Sequence, residues 1–151
     1  MLDTRLWQCV LERIDSPVLH GAGSSLNAVR VHHSRFGSAD FAEADLDSVV
    51  FEDCKFGWLN LRGAKVRDVL FRNCQFDEID LGGNIERVSF EQCRTKQLGL
   101  QGATLRQVDI RGLDFLQVHG LESLRGSKMS GQQFNLLAED LATLLGIQVE
   151  F

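Results

Sequence analysis

Four cysteines carry the most reactive side chains of this sequence, and they stand at positions 9, 54, 74 and 93. Their spacings contain no close pair of the kind that a zinc knuckle or a redox CxxC motif requires. The last three recur at intervals of 20 and 19 residues, in the inward register of the repeat described below. We therefore expect Cys54, Cys74 and Cys93 to be small apolar fillers of one interior column rather than a ladder of metal ligands.

His32 and His33 form the one pair of adjacent histidines in the chain. No carboxylate or cysteine is matched to this pair, so the sequence predicts no metal site there. No arrangement of Ser, His and Asp stands out, and neither does a pair of carboxylates expected to be buried. The sequence therefore predicts no catalytic residue, no metal, no cofactor and no enzymatic activity.

The carboxylates are densest between positions 40 and 53, where no Lys or Arg interrupts them. We take five of them as a candidate acidic surface for a protein partner: Asp40, Glu43, Asp45, Glu52 and Asp53. The net charge is only -5, with a pI near 5.3. A nucleic-acid-binding domain usually shows a clustered basic face, so the composition argues against direct binding to nucleic acid.

Length and composition describe one globular domain. The chain has 151 residues, of which 44% are hydrophobic and 25% charged. Its first ten residues mix Asp3, Arg5 and Gln8 among the apolar ones, unlike a signal peptide, and no long uncharged run could span a bilayer. We expect a cytoplasmic protein with reduced thiols and no membrane partner.

A strict repeat of five residues organises the stretch 46–76. Because a strand repeats every two residues and a helix every 3.6, this period marks an internal repeat. The residues two places before each member are also apolar or small, for example Ala44, Val49 and Cys54. The members are Leu46, Phe51, Phe56, Leu61, Val66, Phe71 and Phe76.

Residues of the repeat that lie about twenty positions apart are similar in type, and we call each such series a column. One column is Val31, Phe51, Phe71 and Phe90. Like residues at this interval are expected where coils of four short segments stack at the spacing of neighbouring strands. The interval from Leu81 to Phe90 is one residue short. We place this deletion within residues 82–85, with Ile85 in the core, because glycines at 82 and 83 allow the backbone to make the turn with one residue fewer.

The outward positions form columns of alternating charge. One column runs Asp47, Arg67, Glu86, Arg106, and a second runs Glu52, Arg72, Glu91, Arg111; a third, Arg35, Lys55, Arg94, is basic. Opposite charges on neighbouring coils are expected to pair. Val50, Trp58 and Leu70 are apolar at outward positions, which makes them candidates for a partner surface.

After Phe115 the repeat fades, and a helix is predicted for about 131–145. Ser130 and Gln133 form a capping box, and Gly146 ends the helix. Its apolar face is predicted to cap the solenoid or to form a dimer, and consists of Phe134, Leu137, Leu141, Leu144 and Leu145. The tail 147–151 alternates like a short strand that could pair beyond the helix.

The predicted organisation is an all-β solenoid of about six coils over residues 1–120, followed by a capping segment over 121–151. The repeats are weak in 4–23, where Pro17 and the small residues 20–25 suggest a looser turn or a surface loop. The N-terminal end has no equivalent of the C-terminal helix. Met1, Leu2 and Trp7 could close it, it could meet another chain, or the sequence could begin inside a longer protein.

The repeat unit resembles the A(D/N)LXX unit of the pentapeptide repeat family. The resembling pieces are Ala39-Asp40-Phe41, Ala44-Asp45-Leu46, Ile79-Asp80-Leu81, Val108-Asp109-Ile110 and Leu113-Asp114-Phe115. The resemblance covers 24–115 well and implies a right-handed quadrilateral β-helix, often with a C-terminal helix that caps or dimerises. It also implies a bacterial protein. The family's best-understood members mimic DNA and bind DNA gyrase.

Three functions follow for testing. The first is a non-enzymatic, rigid scaffold for a protein partner. The second is a DNA mimic that binds gyrase, which the acidic residues 40–53 favour and the alternating charge columns oppose, because a mimic should present continuous negative charge. The third is a purely structural module of a larger protein. Each is compatible with a homodimer through the C-terminal helix or the N-terminal coil.

Overall fold

In the computed structural model, which describes residues 4–150, parallel strands stack into a β-solenoid followed by one α-helix. The strands are β1 (Arg5–Trp7), β2 (Val10–Glu12), β3 (Asp15–His20), β4 (Ser25–His32), β5 (Arg35–Asp40), β6 (Asp45–Glu52), β7 (Lys55–Asn60), β8 (Lys65–Arg72), β9 (Gln75–Asp80), β10 (Asn84–Glu91), β11 (Cys93–Gly99), β12 (Thr104–Arg106), β13 (Val108–Asp109), β14 (Leu113–His119) and β15 (Ser127–Lys128). A short 3₁₀ helix (Leu121–Ser123) and α1 (Gly131–Leu144) complete the described chain.

Successive coils pair in a register of twenty residues, which confirms the predicted period. Leu26 lies beside Leu46, and Leu46 lies beside Val66. One sheet has the order β1-β4-β6-β8-β10-β13-β15, with β2 beside β4 and β12 beside β10, and the other has the order β14-β11-β9-β7-β5-β3. All pairs are parallel, so each residue lies beside its counterpart in the next coil.

The corners of the coil are made by residues in the left-handed region of φ. Ala28 bends β4 in its middle at φ 56°, so that one strand supplies two sides of the coil, and His33 turns the chain into β5 at φ 52°. The third side is β5, and the turn 41–44 forms the fourth. Most of these corner residues are not glycine, although the left-handed region costs an L-residue roughly 1–2 kcal/mol. Inter-coil hydrogen bonds such as that from His33 N to Glu52 O (3.1 Å) hold them there.

The interior consists of the predicted columns. The rings of Phe51, Phe71 and Phe90 stack with centroids 5.0 Å apart, and those of Phe36, Phe56 and Phe76 stack at 5.3 Å. Phe71 also meets Phe76 edge-on at 5.7 Å. These side chains are all buried, so the aromatic columns form the continuous centre of the core.

The short coil lies where the sequence predicts it. Ala64 N bonds to Leu61 O across an ordinary turn, whereas Gly83 N bonds to Leu81 O, one residue closer along the chain. The register of β8 and β10 therefore steps by 19, with Val66 beside Ile85, and Ile85 is buried. A Cβ on Gly83 would collide with the backbone of Ala64, so the shortened turn requires glycine.

The repeats that are weak in the sequence, residues 4–23, form regular strands of the solenoid. Ser16 and Pro17 lie within β3, and residues 21–24 form a turn like those of later coils, so the predicted looser turn or surface loop is wrong. Proline is tolerated because β3 is the last strand of its sheet within residues 4–150 and needs no donor on its outer side. Trp7 is largely exposed and does not close this end, and Met1 and Leu2 lie outside the described residues.

The C-terminal helix α1 covers the last coil. Its capping box is confirmed: Gln133 N donates to Ser130 Oγ (3.1 Å), and Ser130 N donates to Gln133 Oε1 (2.9 Å). The buried amide of Gln133 also donates to the carbonyls of Ile110 (2.7 Å) and Leu113 (3.0 Å). One side chain therefore caps the helix and attaches it to the solenoid.

The tail after α1 is not the predicted strand. Residues 147–150 have no strand pairing, and Ile147 N instead donates to Ala142 O (2.8 Å), so the chain turns back along the helix. Phe151, the last residue of the predicted strand, lies outside the described residues. Among residues 4–150, no helix has the length and apolar character needed to cross a bilayer.

We expect Gly83→Ala to destabilise the protein by about 1–3 kcal/mol, because its methyl group would collide with backbone rather than with a movable side chain. Urea unfolding followed by circular dichroism measures the change. Gly131→Ala is the matched control, since a Cβ there meets nothing within 4 Å, and it should be neutral or stabilising. Equal stability of the two variants would contradict the assignment of Gly83 as the residue that allows the short coil.

Candidate protein interaction surface

The cysteine column is interior, as predicted. Cys54, Cys74 and Cys93 are buried and unpaired, and each thiol donates to carbonyls of its own and the preceding coil, as in the contacts of Cys74 Sγ with Phe51 O and Arg72 O (3.4 Å each). The neighbouring thiols of Cys54 and Cys93, followed by burial, raise the pKa of Cys74 far above its ordinary value. Cys74 is therefore a neutral thiol and a poor nucleophile.

The histidine pair has a neighbouring carboxylate that the sequence analysis overlooked. His33 Nδ1 lies 3.6 Å from Asp53 Oδ2, one coil away, and the amide of Asn73 donates to Asp53 Oδ1 (2.6 Å). The signal was present, because positions 33 and 53 are twenty residues apart. No group of three His, Cys, Asp or Glu side chains suited to a metal ion occurs among residues 4–150.

The candidate acidic residues are distributed around one coil. Asp40 ends β5, Glu43 is in the turn, and Asp45 begins β6. Glu52 and Asp53 lie at the other end of β6, beyond the bend at Ser48 (φ 59°). The structure therefore places the five on successive sides of the coil rather than in one flat patch.

Most of these carboxylates have a polar or cationic neighbour. Arg67 reaches Asp47 (3.1 Å) and Asp45 (3.5 Å), and Asp40 accepts from the amide of Asn60 (3.1 Å). Glu43 is exposed in the turn. These contacts reduce the continuous negative potential that the sequence run suggests.

Arg72 links two carboxylates, one on the coil before its own and one on the coil after it. It contacts Glu52 at 3.3 Å and Glu91 at 2.8 Å, as the alternating column predicts, and Arg30 approaches Glu52 at 3.7 Å. Arg111 departs from the column because it pairs with Asp109 within its own turn at 2.8 Å. The hydrogen bonds that Arg72 donates to Glu91 and to Glu52 raise the pKa of Arg72.

A second ion-pair group lies at the neighbouring corner. Arg87 contacts Asp68 at 2.7 Å and Glu86 at 2.6 Å. This departs from the predicted pairing of Glu86 with Arg67. The hydrogen bond from Arg87 lowers the pKa of Asp68.

Between these two charged groups lie Val50 and Leu70. They are register partners on β6 and β8, face outward and are half-buried. Arg72, one boundary of the pair, follows Leu70 by two residues, and Asp68, the other, precedes it by two. We call Val50, Leu70 and the surrounding Glu52, Asp68 and Arg72 the apolar-centre surface.

Trp58 lies on the other sheet. It belongs to β7, beside Ser38 of β5 and Glu78 of β9, and 36% of it is exposed. The structure thus separates Trp58 from Val50 and Leu70, which the sequence analysis had grouped with it. It is a single exposed aromatic residue with polar neighbours.

The helix face predicted to cap or dimerise is divided. Leu137 is buried and Leu141 is half-buried, whereas Phe134, Leu144 and Leu145 are exposed. Leu136, on another side of α1, is exposed as well. Gln133 takes the inward position that the sequence analysis gave to Phe134.

An open groove crosses the basic column and was missed by sequence reasoning. Its volume is about 460 Å³, and its walls include Lys55, Arg94 and Lys96. Thr95 lies in its floor, interrupting the phenylalanine column between Phe76 and Phe115. Lys96 contacts Asp77 (3.4 Å), and the groove contains no nucleophile–base pair that would perform catalysis.

Stacked coils with flat, patterned sides define the chain as a β-solenoid repeat protein. Among solved structures it is similar to two trypsin-treated variants of QnrB1, described as a plasmid-mediated fluoroquinolone resistance protein. The first is 16% identical, with 99% of both chains covered and a TM-score of 0.46; the second is 15% identical, with the same coverage and a TM-score of 0.26. At these values the likeness supports no statement about function. No family model and no curated protein matches the chain.

We expect only one of the four cysteines to react rapidly with a water-soluble disulfide reagent in the native protein. Cys9 is half-exposed, whereas Cys54, Cys74 and Cys93 are buried. Counting released chromophore with and without denaturant measures this, and Cys9→Ser should abolish the rapid reaction. Rapid labelling of Cys74 would contradict its assignment as a buried neutral thiol.

Arg72→Ala should lower the urea midpoint, because it leaves Glu52 and Glu91 without their shared cation. The loss should shrink as salt is added, since these groups are exposed. Arg35→Ala is the matched control, because Arg35 lies beside Lys55 and has no carboxylate within 4.0 Å in the described chain. A larger loss for Arg35→Ala would contradict this account of the charge columns.

Proposed function

We propose that the protein is a non-enzymatic, pentapeptide-repeat-type scaffold that binds a protein partner through the apolar-centre surface. The observation that carries the proposal is the half-buried pair Val50–Leu70, which lies on adjacent coils and is bounded by ion-paired side chains. Protein interfaces combine an apolar centre with a polar rim in this way. The acidic residues 40–53 contribute the part of the rim that includes Glu52.

Rigidity supports this role. The backbone on both sides of the surface is held by inter-coil bonds, such as that from Asp53 N to Arg72 O (3.0 Å), and aromatic stacks lie beneath it. A surface that needs no ordering on binding loses less conformational entropy. A flat, fixed face therefore suits recognition of a folded partner rather than enclosure of a small molecule.

The test is capture of partners from bacterial lysate on the immobilised protein, at low and high salt. We expect a partner that survives high salt and is reduced at least about tenfold by the double variant Val50→Ser/Leu70→Ser. Leu116→Ser is the matched control, because Leu116 is exposed on the other sheet, and it should capture normally. Unchanged capture by the folded double variant would refute this surface, while loss with Trp58→Ser instead would move the site to the other sheet.

A DNA mimic that binds gyrase is the alternative, and the sequence run 40–53 is what favours it. The contacts of Arg67 with Asp45 and Asp47, and of Arg72 with Glu52, weigh against it because they interrupt the negative charge. We expect no effect of micromolar protein on supercoiling by purified gyrase. Inhibition or protection that disappears with added salt would favour the mimic over the scaffold.

The third alternative is a structural module of a larger assembly, in which the solenoid ends rather than its sides make the contacts. Exposed Phe134, Leu144 and Leu145 offer α1 as a route to a homodimer, and the first coil offers another. This alternative would be supported if capture of a partner is lost when the exposed residues of α1 are replaced and is unchanged when Val50 and Leu70 are replaced.

A further inference from the structure

The first coil exposes large apolar side chains at positions that are polar in the second coil. Trp7 is 68% exposed and Val10 62%, and Val18 on the next strand is also exposed. Positions 7 and 10 correspond to Asn27 and Arg30 in the second coil. The first coil therefore carries Trp and Val where the second coil carries polar residues, a composition typical of a surface that another protein covers.

The edge is also open in its interior and its backbone. Leu6, Leu11, Ile14 and Leu19 are half-buried and line an apolar cavity of about 60 Å³ at this end. Within residues 4–150, β1 and β2 pair only with β4, so their outer peptide groups face away from the sheet. The buried hydroxyl of Ser24, beside the cavity, has no hydrogen-bond partner there.

When two copies of this edge segment are aligned antiparallel, the residues that lie opposite one another have complementary side chains. The segment is Arg5-Leu6-Trp7-Gln8-Cys9-Val10-Leu11-Glu12. Antiparallel pairing of two copies about a point between Gln8 and Cys9 places Arg5 opposite Glu12, Leu6 opposite Leu11 and Trp7 opposite Val10. The first pair is oppositely charged, and the other two are apolar.

We propose that the protein forms a two-fold head-to-head dimer in which β1 of one copy pairs antiparallel with β2 of the second copy. The occupant of the open edge is thus a second copy of this chain. A two-fold interface requires each contact to occur twice, and this sequence supplies both halves of every contact. The proposal is independent of which partner binds the apolar-centre surface.

The fold satisfies the geometric conditions of this pairing. Leu6 and Leu11 face inward, whereas Arg5, Trp7, Val10 and Glu12 are exposed, so the register joins inward with inward and outward with outward residues. The corner at Gln8 (φ 50°) lies at the two-fold axis, which exchanges the sides formed by β1 and β2. An antiparallel strand added to a parallel sheet is a common arrangement.

Charge reversal with rescue tests the proposal by sedimentation equilibrium of the full chain. Arg5→Glu and Glu12→Arg should each weaken dimerisation about tenfold or more, because each sets two like-charged pairs opposite one another. The double variant Arg5→Glu/Glu12→Arg should return to within about threefold of the parent dissociation constant. Arg125→Glu is the control at the other end of the chain and should have no effect, since Arg125 is exposed there.

Oxidative cross-linking gives an independent readout. Cys9 lies next to the proposed axis, so two copies bring their Cys9 Cα atoms to about 6 Å, within the range of a disulfide. A mild oxidant should give a covalent dimer that Cys9→Ser abolishes, with both thiols losing their protons and electrons to the oxidant. The proposal is overturned if the protein is monomeric at every concentration. It is also overturned if the dimer is unaffected by Arg5→Glu and is lost in the double variant Phe134→Ser/Leu145→Ser.

Discussion

Backbone hydrogen bonds between successive coils place each residue beside the one twenty positions earlier, except across the single shortened turn. Every side chain therefore has two predetermined neighbours of its own column. Inside, this makes aromatic rings such as Phe51, Phe71 and Phe90 stack face to face. Outside, it places Arg72 between Glu52 and Glu91, so the same constraint shapes both the core and the surface.

On a surface built of such columns, charged side chains interact mainly with their immediate neighbours. Ion pairs such as Asp68–Arg87 neutralise many of the carboxylates, and salt screens the remaining net charge of -5 over about 10 Å. The proposed recognition of a partner therefore depends on individual side chains at defined coil positions, such as Val50 and Leu70. Glu43 is exposed, but the residues twenty positions before and after it, Gly23 and Gly63, carry no charge, so its negative charge does not extend along a side of the solenoid.

The fold could be predicted from the sequence because its constraint is periodic. Five-residue spacing gives the sides, twenty-residue spacing gives the coils, and the one-residue offset locates the turn at Gly83. Non-periodic contacts were harder to predict. The sequence predicts Gln133 as a capping residue. Its hydrogen bonds to the carbonyls of Ile110 and Leu113 were not predicted, because they depend on the position of these carbonyls in the last coil. The exposure of Phe134 follows from the same choice of helix face, which hydrophobicity alone does not determine. His33 and Asp53 could have been paired by their interval.

The attachment of α1 through Gln133 also gives the solenoid a direction of assembly. Parallel coils have identical backbone chemistry at both ends, so a chain with two open ends could add copies end to end without limit, as fibres do. Here the carbonyls of Ile110 and Leu113 are already occupied by the helix amide. By occupying these carbonyls, α1 obstructs the addition of a further coil at this end, besides covering the core.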